Sequence, residues 1–125
     1  MGLIHAGSAT TFSMHQVQFI GLAAPSRGST ENAVWKIVIP PNTMAKGPHQ
    51  VTRDEIFVAL SGAADVQLDG RSLSLEAGAA LVVPANTDFS ISNSGPDPFE
   101  AVAVLPVGGQ ALVEGQPPFV PPWAQ

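Results

Sequence analysis

Apolar residues recur at every second position in short runs along this chain, and turn-forming residues close each run. Ala33 to Pro40 carries Val-Trp-Lys-Ile-Val-Ile and stops at Pro40-Pro41, which predicts a strand. The same reading predicts strands over Val17–Leu22, His49–Val51, Glu55–Leu60, Ala64–Leu68, Arg71–Leu75, Ala80–Val83, Asp88–Ser92 and Ala101–Leu105. A short edge strand is expected around Thr11–Met14, and Ala23–Asn32 reads as a loop from its Pro, Gly and Ser content. Turn signals fall between the runs at Ser61-Gly62, Asp69-Gly70, Ala77-Gly78, Pro84-Ala85-Asn86 and Asn93-Ser94-Gly95-Pro96. Asp69-Gly70 predicts a two-residue hairpin, because both residues tolerate positive φ. No stretch keeps the 3.6-residue apolar period of a helix for three turns. Many short strands at close spacing imply a closed sandwich or barrel.

Composition narrows the function classes. The 125 residues suit one domain with a core of its own, and the 12 Gly and 12 Pro are spread as punctuation between strands. The absence of cysteine removes disulfides, thiolate catalysis and cysteine-zinc sites. Net charge is −5, and the five basic residues, Arg27, Lys36, Lys46, Arg53 and Arg71, are scattered, so no nucleic-acid face is expected. No basic leader with a long apolar stretch is visible, and the apolar runs are strand-sized, so no membrane partner is expected and a cytoplasmic location is. The tail Gln116-Pro-Pro-Phe-Val-Pro-Pro-Trp-Ala-Gln125 is extended and proline-rich, with Phe119 and Trp123 as apolar anchors. It is expected to strap across the barrel or a neighbouring subunit.

The most specific signal is a pair of spaced motifs. Pro41-Asn42 is followed by His49-x-Val51, three residues, Glu55, six residues and Gly62. Later come Gly78, five residues, Pro84-x-Asn86, two residues, Phe89, three residues and Asn93. These registers resemble the two motifs of the cupins over about residues 33–107. The first cupin motif runs Pro-Gly, His-x-His, Glu, Gly; the second runs Gly, Pro-x-Gly, His, Asn. The resemblance implies an all-β, single-domain jelly roll, the double-stranded β-helix barrel. Residues 1–32 would supply N-terminal edge strands and a loop, 33–107 the barrel core, and 108–125 the tail. Asn42 and Asn86 stand at turn glycines, a mild change, because Asn tolerates left-handed backbone. Val51 and Phe89 stand at metal-ligating histidines, and neither can give a lone pair to a metal.

Strand alternation puts His49 and Val51 on one face, and Glu55, Phe57 and Ala59 on one face of the next strand. Phe89, Ile91 and Asn93 share another, with Asn93 at the cupin position that ties the following loop. The resemblance turns these faces inward. His49 and Glu55 are then two metal-ligand positions where a tight site uses three or four protein ligands. No resident cofactor is expected, and a divalent metal, if held, would sit on these two residues. Their metal-free role is acid–base work: apolar neighbours raise a carboxyl pKa toward neutrality, and an imidazole titrates there already. The plain alternative is that the two side chains satisfy each other inside an apolar barrel. Val51, Phe57, Phe89 and Ile91 would shape a pocket, and Arg53 would gate it or pair with Asp54 at the surface. Met14 and Met44 read as gap-fillers.

Three functions compete on this reading. The first is an enzyme of isomerase, cyclase or lyase type, metal-independent or weakly metal-dependent, acting on a small molecule through His49 and Glu55. The second is a non-catalytic barrel that binds or senses a small ligand. The third is a structural role, with Phe89 filling the space a metal and its waters would take. The first two are favoured over the third, and an open cavity would count against the third. A homodimer is expected, with Trp35, Phe119 and Trp123 as candidate anchors.

Overall fold

Strict alternation drives the longest strands. In β3 (Asn32–Ile39) the side chains of Ala33, Trp35, Ile37 and Ile39 are buried, while those between them reach the outer face. In β10 (Phe99–Pro106) Phe99, Ala101, Ala103 and Leu105 are fully buried in the same rhythm. Such strands must bury one face against a second sheet. The computed structural model describes residues 2–125; Met1, at the head of the expected 1–32 segment, lies outside the described residues.

The remaining strands are β1 (Thr10–Met14), β2 (Val17–Ala23), β4 (Gln50–Val51), β5 (Glu55–Ser61), β6 (Ala63–Leu68), β7 (Arg71–Glu76), β8 (Ala80–Val83), β9 (Phe89–Ser92) and β11 (Ala111–Leu112). One wall is a six-stranded antiparallel sheet in the order β1-β2-β3-β10-β5-β8. The other wall combines β7-β6-β9 with β11-β4. Single bridges between His49 and Phe89 and between Thr43 and Asn93 join the two parts. One apolar cluster, from Phe19 to Ala124, lines the space between the walls. Among the described residues no helix is long and apolar enough to cross a membrane.

The turns follow their residues. Asp69 and Gly70 have φ of 50° and 78°, the two positive values a tight hairpin between β6 and β7 needs. Asn42 and Asn86 take φ of 56° and 58°, so Asn does serve where the family has glycine. Gly62, with φ of 74°, has no room for a side chain: a Cβ there would lie 2.3 Å from the Pro98 carbonyl oxygen. Asn93 is fully buried. Its amide nitrogen donates to the Ile39 and Asp97 carbonyls at 3.0 and 2.8 Å, and its side-chain oxygen accepts from the Gly95 N–H at 3.0 Å.

The tail straps its own barrel. Ala111 and Phe119 exchange backbone hydrogen bonds, and Ser26 Oγ donates to the Gln125 backbone oxygen at 2.7 Å. Trp123 stacks flat on Phe19, with centroids 3.7 Å apart and planes 5° apart. Trp35 is buried beneath it, and Phe119 is half-buried along the strap. The rings of Trp35 and Trp123, two of the candidate dimer anchors, thus pack against residues of their own protomer. The apolar surface lies elsewhere: Ile56, Val58 and Leu60 of β5 and Val82 of β8 point outward, Leu60 and Val82 being 52% and 53% exposed. Met14 and Met44 are exposed and not core fillers.

Candidate functional site

Between the walls the barrel is open at one end, enclosing a cavity of about 550 Å³. Alternation on β5 points Glu55 and Phe57 into it, and the segment leading into β4 supplies His49 and Val51. Phe89 and Ile91 of β9 complete that side. Phe89 is 2% exposed and packs its ring 4.4 Å from the His49 ring and 6.0 Å from the Phe57 ring. It does not fill the cavity, which counts against the alternative of a structural barrel plugged by its own side chains.

Glu55 is 5% exposed. Its carboxyl has neither a hydrogen-bond donor nor a cation beside it, and burial alone raises its pKa from 4.5 to about 8. The only enclosed side-chain polar atoms without a partner, among the described residues, are the indole nitrogens of Trp35 and Trp123. The Glu55 oxygens are not among them, so they open onto the cavity. His49 is half-buried; its backbone pairs with Phe89 at 3.0 Å in both directions, and burial pushes its imidazole pKa down, keeping the ring neutral at neutral pH. The single salt bridge among the described residues joins Lys36 to Glu100, so His49 and Glu55 are not paired with each other. The idea that they merely satisfy one another is therefore corrected. Both line the same cavity, His49 from the segment leading into β4 and Glu55 from β5.

The donors do not fit a metal site. Among the described residues no three His, Asp, Glu or Cys side chains converge, and Val51 and Phe89 place carbon where further ligands would stand. Two donors fall short of the three or four that hold a divalent ion.

Of the two roles open to Arg53, gate or surface residue, its position fits the second. It is exposed in the turn before β5 and contributes nothing to the cavity lining. Its neighbour Asp54 instead accepts the Ala85 N–H at 2.9 Å, bracing the next turn. Residues not assigned to the site from sequence also line the cavity: Phe19 and Trp35 from the six-stranded sheet, and Phe119, Pro121 and Trp123 from the tail. The inward phase of Trp35 was readable from alternation. The tail residues carry no periodic signal, because an extended strap takes its position from whatever it packs against.

A cupin domain model matches residues 35–105 of the chain. No curated protein sequence matches it. Among solved structures, the polyketide cyclase RemF from Streptomyces resistomycificus superposes with a TM-score of 0.80 at 14% identity, covering 94% of this chain and 87% of that one. An RmlC-like cupin from Shewanella frigidimarina gives 0.72 at 15% identity, covering 85% and 90%. A cupin-superfamily sugar phosphate isomerase from Silicibacter pomeroyi gives 0.66 at 14% identity, covering 86% and 75%. Likenesses at such identity speak for the fold. With the family match running from β3 to β10 through both motif strands, the chain belongs to the cupin family.

Proposed function

We propose that this cupin binds a small molecule in its barrel and moves a proton on it with Glu55 and His49, as an isomerase, cyclase or lyase does. The observation that carries this is the unpartnered Glu55 carboxyl, buried yet open to the cavity that a neutral His49 also lines. A protonated carboxyl can give its proton to a ligand carbonyl oxygen. A ring nitrogen of neutral His49 can take one from the adjacent carbon, so charge never builds up on the ligand. Both side chains line the cavity that such a ligand would occupy. Solved relatives named as a cyclase and as an isomerase are consistent with chemistry of this kind on the fold.

The test needs no known substrate. Solvent deuterium uptake at the α-carbon of β-tetralone in heavy water, followed by proton NMR, reads proton transfer directly. The protein should accelerate uptake above buffer, and His49→Ala and Glu55→Ala should each remove roughly 100-fold or more of that acceleration. A second reading, a binding or sensing barrel without catalysis, draws on Val51 and Phe89, which line the site with carbon. Binding of the ketone without exchange would decide for it.

The same proposal includes a homodimer. Its shared face would be the outer row of Ile56, Val58, Leu60 and Val82, where exposed apolar side chains meet no charge except the mutually neutralised Lys36–Glu100 pair.

A further inference from the structure

Resting on the reading that the cavity binds a small molecule, we infer which kind. The part of the ligand seated beside Glu55 is an uncharged hydrogen-bond acceptor, such as a ketone, on a ring-bearing apolar body, and carboxylates and phosphates are refused at that depth.

The charged and titratable groups lining the cavity are few. His15 on the β1–β2 hairpin, Lys46 in the loop before β4 and Glu114 after β11 are all exposed, at the rim. Inside are His49 and Glu55 alone. Arg53, the candidate gate, lies outside. No cation therefore reaches the interior, since burial against Phe89 disfavours the charged form of His49. An anion brought to Glu55 would lose its water and gain no counter-charge, which is strongly unfavourable in an apolar enclosure. Ionised, Glu55 would repel it; protonated, it could donate one hydrogen bond and leave the charge otherwise bare. A neutral carbonyl has no such difficulty, and it supplies the acceptor that Glu55 lacks within the protein.

The walls select the rest of the molecule. Phe19, Trp35, Phe57, Phe89, Phe119 and Trp123 all line the cavity, offering ring faces and edges on several sides. The volume, about 550 Å³, lies within the range of drug-sized ligands. Thr43 and Ser90 add uncharged hydroxyls, and the indole N–H groups of Trp35 and Trp123, also uncharged, are enclosed in the wall.

A matched pair of probes tests this. Naphthyl methyl ketone and naphthoate share an outline and differ in charge, and their binding at neutral pH can be measured by isothermal titration calorimetry. The ketone is expected to bind at least about ten-fold more tightly, a difference of about 1.4 kcal/mol. Ile91→Lys, at a half-buried cavity position that can accept a flexible ammonium stem, should narrow or reverse the preference. Ile91→Trp, at the same inward position, should weaken both probes and so locate them in the cavity. Naphthoate binding as tightly as the ketone in the unaltered protein would overturn the inference and leave small-molecule binding standing. Failure of both probes to bind would overturn that underlying reading as well.

Discussion

Replacing Glu55 by Gln removes a proton-binding group from the cavity and keeps its shape, so its effect on stability is set by pH. In the folded protein Glu55 holds its proton up to about pH 8, whereas the same group free in water releases it near 4.5. Below pH 4.5 the carboxyl is protonated in both states and the folded form carries no charge penalty. Between those values the unfolded chain ionises while the folded one does not, so the folded state loses stability as pH rises. At about 1.36 kcal/mol per pH unit, the loss reaches roughly 5 kcal/mol by pH 8, an upper figure because water entering the cavity lessens it. His49 works in the opposite sense: its lowered pKa makes folding less favourable as pH falls below 6.5. Comparing the wild type with Glu55→Gln at each pH cancels most of that contribution. The assay is urea unfolding followed by circular dichroism from pH 4 to 9. Glu55→Gln should match the wild type near pH 4 and exceed it increasingly above pH 5, by several kcal/mol near pH 8. A constant difference across the range would refute the argument, because it would mean that the carboxyl ionises normally in the fold.

Four further outcomes follow from the same structure. Trp123→Ala removes the ring stacked on Phe19 and should lower unfolding stability by about 3 kcal/mol. Trp123→Phe keeps a ring there and removes an indole N–H that has no acceptor, so it should stay within about 1 kcal/mol of the wild type in the same urea titration. The double substitution Val51→His with Phe89→His adds two donors to His49 and Glu55, and elemental analysis after dialysis should find about one equivalent of zinc, well above the wild type. No zinc in that variant would mean that the four positions do not converge. Leu60→Glu with Val82→Glu places like charges on the outer row, and light scattering should report a dimer for the wild type and a monomer for this variant.

Local rules made most of the strands legible. Alternation over Ala33–Ile39 and Glu55–Leu60 is enough to say which side chains share a face, because a strand's side-chain period holds whatever it packs against. Asp69-Gly70 and the two turn asparagines were readable for a similar reason: positive φ is a property of single residues. The spacing of His49, Val51, Glu55, Phe89 and Asn93 carried the family and its inward faces. β11 escaped, because two residues form a strand only through their pairing with β4 and Phe119.

Tertiary structure alone decided the site. Whether His49 and Glu55 pair or stand apart depends on how β4 and β5 lie across the barrel, and spacing along the chain cannot express that separation. Whether Phe89 plugs the barrel depends on packing against His49 and Phe57. The placement of Arg53 outside the cavity and of Trp123 on Phe19 depends on where a turn and an extended tail meet the rest of the protein. Patterning determines which face of an element is buried; only the docking of elements determines how much space is left between the buried faces, and the proposed chemistry is placed in that space.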